Sequence, residues 1–116
     1  MKNEKLEKLI KDWKKQDEKT LMEFGRVFWD IADSYRDSRD DEYLNLKGWI
    51  EEDKIPAAAR LLRIVGITEF TATPGWADPI RRLRAWDREG FKIAGFLDLP
   101  FEGKKKTIPV LLIRAK

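Results

Sequence analysis

Arg81, Arg84 and Arg88 fall at three- and four-residue spacings, which on a helix lines three guanidinium groups along one stripe. Lys104, Lys105 and Lys106 follow as an unbroken basic run. These cations have the chemistry to position the phosphates of a nucleic acid or to meet an acidic protein surface. A solvated helix face, with Asp78 and Arg82 as a local i, i+4 pair, accounts for the same residues without a partner. A second group, Thr71, Thr73, Gly75 and Trp76, offers hydroxyls, backbone amides and an aromatic face ahead of a helix start, where anions bind in open α/β arrangements. It matches no Walker or dinucleotide fingerprint. The competing reading is structural, with the threonines as strand formers and Trp76 as a plug on the core. A third group, Asp30, Asp33 and Asp37, shares a helical face and has the charge to hold a hard cation or to imitate phosphate. Its spacing fits no calcium loop, so a solvated face is the better reading and no metal is expected.

The chain of 116 residues contains no Cys and no His. That removes thiol nucleophiles, disulfides, Cys/His zinc sites, haem ligation by His and the commonest general base. An enzyme using only carboxylates, Lys or Tyr is the alternative that stays open, since Asp/Glu pairs for glycoside chemistry are assigned by geometry and not by sequence. The expectation is a protein that is not an enzyme and takes no cofactor. Charged residues make up 39% of the chain, well above the usual share of about 25%, so the surface is ionic. The two halves differ in sign: residues 1–55 hold 12 basic and 15 acidic side chains, residues 56–116 hold 12 and 6. A basic second half suits a polyanion or an acidic protein. No stretch approaches the roughly 20 apolar residues of a membrane span, and the N-terminal residues lack the apolar run of a signal peptide. The expected setting is the cytoplasm, with no membrane partner.

Hydrophobic spacing supplies the elements that would carry these groups. Leu6, Leu9, Ile10 and Trp13 recur at helical spacing, and so do Leu21, Phe24, Phe28, Ile31 and Tyr35, which predicts two helices meeting near residues 16–20. Gly25 falls inside the second pattern, where a missing side chain would admit a close neighbour. Asp40 and Asp41 suit the start of a short helix through Tyr43, Leu46, Trp49 and Ile50, which the acids Glu51, Glu52 and Asp53 would then terminate. Pro56 opens a further helix that buries Ala58, Leu61, Leu62 and Val65 and ends at Gly66. Residues 67–73 read as a strand, Asp78 and Pro79 start a helix with Ile80, Leu83 and Trp86 inward, and Gly90 closes it. Residues 91–99 and 108–114 read as a hairpin. The expected fold class is α+β: one domain, 1–116, with N-terminal helices (1–66) packed on a three-stranded β-α-β-β sheet (67–116). The first strand should reach the second by a right-handed parallel crossover. Pro109 lacks an amide donor and puts the last strand at an edge. With Val110, Leu111 and Leu112 that edge is apolar enough to pair with a second copy as a homodimer, unless the N-terminal helices cover it.

Ile67-Thr68-Glu69-Phe70-Thr71-Ala72-Thr73, then Trp76, a helix carrying Leu83, and Gly90-Phe91-Lys92-Ile93-Ala94-Gly95 together resemble the C-terminal part of a family of uncharacterised small bacterial and phage proteins. Its members join a G-[IV]-x-E-F-T strand to a Ser/Thr-Trp turn, a helix and a G-[FC]-K-[ILV]-x-G strand. Pro74-Gly75 and Pro79 depart from that pattern around the turn. The resemblance implies an accessory protein of a mobile element, a class in which some members inhibit host defence, CRISPR effectors included, by binding it. The resulting expectation is a macromolecule-binding module with a protein partner. Nucleic-acid binding through the Arg81, Arg84, Arg88 and Lys104–Lys106 cations is the alternative.

Overall fold

The computed structural model describes residues 1–12, 24–46, 50–73, 79–100 and 107–116. The helical spacings produce α1, Glu4–Asp12, which buries Leu6, and α2, Arg26–Asp37, which buries Val27, Phe28, Ile31 and Tyr35. Trp13 and Leu21 lie outside the described residues. Gly25 stands at the entrance of α2, not in its interior, with a φ of 52° and open space where a Cβ would sit. Its left-handed backbone, and no close neighbour, is what favours glycine there.

Asn3 starts α1 and ties it down: its Oδ1 accepts the Leu6 N–H at 2.9 Å, while its Nδ2 donates to the Val65 carbonyl at 3.0 Å. The Tyr35 hydroxyl donates to Glu7 Oε1 and accepts the Asn3 N–H, both at 2.9 Å. The Met1 ammonium donates to the carbonyls of Ser38, Arg39 and Asp41 in the turn after α2.

That turn leads into a strand where the sequence suggested a short helix. β1, Leu44–Leu46, buries both leucines with Asn45 half-buried between them, a period of two. Ser38 shapes the approach: its hydroxyl donates to the Ser34 carbonyl at 2.6 Å and accepts the Asn45 N–H at 2.9 Å. Trp49 lies outside the described residues. The acids expected to end that helix instead form a 3-10 turn, Glu52–Lys54, directly before α3, Ile55–Ile64. Carboxylates favour that end of a helix dipole. α3 buries Ala58, Leu61 and Leu62 as anticipated, and Val65 follows them into the core. Gly66, at φ 74°, closes it with Gly66 N–H to Arg63 O at 3.1 Å and Ile67 N–H to Leu62 O at 2.9 Å. These are the paired bonds of a Schellman end.

The remaining elements are β2, Glu69–Ala72, α4, Pro79–Arg88, β3, Phe91–Pro100, and β4, Thr107–Ala115. The fold is α+β, but the sheet has four strands in the order β1-β2-β4-β3. β1 and β2 are parallel, and β4 runs antiparallel to both of its neighbours. Two expectations are corrected. β2 and β3 run in the same direction yet are not adjacent, because β4 inserts between them. β4 is therefore interior over residues 111–114, which covers that part of the edge invoked for a homodimer, while residues 107–110 pair with β3 alone among the described residues. Pro109 is tolerated because β2 pairs only with residues 111–114 of β4; at Pro109 the described partner is Asp98 of β3 alone.

Partners in register share a face. Leu44, Phe70, Ile113 and Phe91 turn to the helical layer, where α2 packs on β1, α4 on β3, and α3 on both α2 and α4. One buried cluster takes residues from both halves of the chain, from Leu6 and Tyr35 to Phe70 and Trp86. Behind the sheet Thr71 is buried, its hydroxyl donating to Asn45 Oδ1 at 2.9 Å.

Phe70→Ala should cost about 3–5 kcal/mol, the range for deleting a buried aromatic ring, read from the midpoint of urea unfolding. Burial, with the Glu7 carboxylate beside it, pushes the Tyr35 phenol above its usual value. The folded protein thus holds this proton more tightly than the unfolded chain. The stabilisation is whole below about pH 10 and is lost as pH rises through the folded value. Between about pH 8 and about pH 11, Tyr35→Phe should therefore lose less stability than the parent.

Candidate functional site

The aromatic residues of the C-terminal half fix how α4 sits on the sheet. Trp86 packs against Phe70, with ring centroids 4.8 Å apart, and against Phe91 at 5.4 Å. Phe70 and Phe91 meet at 5.5 Å. The C-terminal end of α4 is tied further. Arg63 Nη1 donates to the Glu89 carbonyl at 2.8 Å, and the Lys116 ammonium pairs with Asp87. Gly90, at φ 87°, turns the chain straight into β3.

The other end of α4 is not pressed onto the sheet in this way. Ile80, expected to point inward with Leu83 and Trp86, is 60% exposed, while Leu83 is half-buried and Trp86 buried. Ile80 instead lines a groove of about 320 Å³ with Leu83, Arg84, Trp86, Asp87, Phe91, Lys92, Ile93 and Ile113. The walls are mainly apolar. Arg84 and Lys92 have no carboxylate partner among the described residues, whereas Asp87 is neutralised by Lys116.

β3 extends this apolar surface by an irregularity. Ile93 pairs with Ile113 and Gly95 with Leu112, which leaves Ala94 as an extra, bulged residue. Strict alternation from Phe91 would put Phe96 on the opposite face from Ile93. The bulge shifts the count by one, so Phe96, opposite Leu111, returns to the face of Ile93 and Ile113. Phe96 is 72% exposed there and Ile93 46%. β3 is also a sheet edge, with no described strand on its outer side.

The residues anticipated from sequence are thus only partly brought together. Arg81, Arg84 and Arg88 are all exposed on α4, and of these Arg84 lines the groove. Thr73 is half-buried just beyond β2, its N–H reaching the Leu46 carbonyl at 3.3 Å, so it serves the β1–β2 pairing. Thr71 is committed to Asn45. Trp76, Gly75 and Lys104, Lys105 and Lys106 lie outside the described residues. On α2, Asp33 is paired with Arg36 at 3.6 Å, and no group of three metal-ligating side chains occurs among the described residues. None of their helices is long and apolar enough to cross a membrane. Ile93 and Phe96 were not singled out by the sequence reading. The usable signal was Gly95, since a lone glycine inside a strand pattern marks a bulge.

No protein-family model, curated protein or solved structure matches the chain. The geometry alone therefore carries the functional reading. As exposed residues away from the core cluster, Ile80 and Phe96 should each change to Ser within about 0.5 kcal/mol of parental stability. The double variant should bind an environment-sensitive apolar dye more weakly, measured by fluorescence titration.

Proposed function

We propose that this chain is a protein-binding module, not an enzyme, that works in the cytoplasm through the face shared by α4 and β3. The observation that carries the reading is the joint exposure of Ile80, Ile93 and Phe96 beside Arg84 and Lys92. An apolar centre with a polar, charged rim is the anatomy of a protein interface. The groove offers Arg84, Lys92 and an ion-paired Asp87 as its ionisable groups, in a chain without Cys or His. These groups suit recognition better than proton transfer or nucleophilic attack. The mobile-element setting implied by the family resemblance makes a host defence protein, CRISPR effectors among them, the partner class to test first.

A second reading rests on Arg81, Arg84 and Arg88, exposed together along α4, with the Lys104–Lys106 run as a further source of cations. They would position phosphates of a nucleic acid. The two readings separate by salt and by residue. Immobilised protein should retain a partner from a bacterial host lysate, and Ile93→Asp with Phe96→Asp should abolish that retention while R81E/R84E/R88E only weakens it. Nucleic-acid binding would instead show as retention on heparin and a log–log salt slope that shrinks by about 0.9 for each phosphate contact removed. Heparin retention lost in the arginine variant, with no protein captured by the parent, would reverse the assignment.

A further inference from the structure

We infer that β3 is a receptor strand: an extended, acidic and apolar segment of a partner protein adds to its free edge and lays side chains into the α4 groove. The inference deepens the protein-binding reading and rests on it. β3 runs for ten residues with its outer side unpaired among the described residues, whereas stable native edges are commonly short, charged or covered. Its first half carries two such guards, Lys92 and the Ala94 bulge. Residues 95–99 carry no bulge and a single charge, the exposed Asp98 on the face of Phe96, and are long enough to pair with a strand of ordinary length, about five residues. An incoming strand there would set every second side chain beside Phe96, on the face that continues into the Ile80 and Ile93 surface. Backbone pairing would supply affinity and the pocket would supply selectivity, as in other strand-addition sites.

Charge complementarity selects the occupant. Among the described residues Arg84 and Lys92 have no carboxylate partner, and the carboxylate lining the groove, Asp87, is already held by Lys116. A second copy of this chain, docked groove to groove, would bring the same two cations against them, and like charges at an interface disfavour that pairing. A partner segment whose Val or Ile side chains lie on the Phe96 face, alternating with Asp or Glu on the reverse face that carries Lys92 and away from Asp98, meets both requirements, with Arg84 left to an acid at the segment's end.

The test uses the full chain and a synthetic peptide of alternating valine and glutamate, with two controls: one proline at its centre, and lysine in place of glutamate. The expected result is saturable binding of the first peptide, with slowed amide exchange and shifted NMR signals at residues 95–99. The lysine peptide should bind at least about tenfold more weakly, the scale set by reversing close charge pairs. The proline peptide should give no protection, because it cannot complete the ladder. Phe96→Asp, at an exposed position, and Arg84→Glu with Lys92→Glu should each weaken binding of the parent peptide without unfolding the chain. Equal binding of either control, or no saturable binding, would overturn the inference. Protection of residues 95–99 that rises with protein concentration and needs no peptide would replace the acidic partner by a second copy. If Phe96→Asp loses the captured partner while the peptide leaves β3 unprotected, strand addition fails and the protein-binding role stands. If capture survives that change, both fail.

Discussion

The packing of Phe70, Trp86 and Phe91 is the contact on which the C-terminal architecture depends. Each ring comes from a different element, β2, α4 or β3, and each is buried. Between the two strands that carry the phenylalanines lies β4, whose Ile113 stands opposite Phe70 and whose small Ala115 stands opposite Phe91. The phenylalanine rings can therefore meet above β4 with the indole as the third member. Burial of each ring removes on the order of 150–250 Å² from water, so the cluster holds α4 firmly at Trp86. The arginine clamp from α3 and the Lys116 ion pair add to the same end. The first turn of α4 borders the open groove, and Ile80 is exposed there.

The N-terminal half is not a separate cover laid on a finished sheet. It contributes β1, and through Leu44 and Leu46 it extends the apolar floor beneath α2 and α3. The Asn3, Tyr35 and Glu7 hydrogen bonds then fix α1 to α2 and to the end of α3. Asn3 Nδ2 and the Val65 carbonyl are separated by 62 positions in the chain, so this small polar network joins elements that local sequence preference cannot bring together. Its charge is acidic, whereas the groove on the opposite half is edged by Arg84 and Lys92. The two cations that border the apolar surface thus come from the basic half of the chain.

What was legible in the sequence follows from the range of the interactions involved. α3 could be placed nearly residue by residue, because Pro56, the buried Ala58, Leu61 and Leu62 spacing, and Gly66 are all local signals. The β2, α4, β3 and β4 segments were likewise marked by β-branched or aromatic runs between glycines and prolines. β1 was missed because three residues, Leu-Asn-Leu, carry almost no periodicity, and pairing with β2 decides their conformation. Pro109 suggested an edge strand, but the proline rule acts on one residue's amide and not on the whole strand. The arginines of α4 were visible from their spacing. The apolar half of the site was hidden, since the position of Phe96 depends on a one-residue bulge at Ala94 that reverses the face of everything after it.

The central claim is that the face formed by β3 and the first turns of α4 is where a partner protein sits. A photoreactive amino acid placed at position 96, compared with one placed at position 33 on the acidic face of α2, tests it most directly. The account predicts a covalent adduct with the partner from position 96 and none from position 33. An adduct formed from position 33 alone would contradict it.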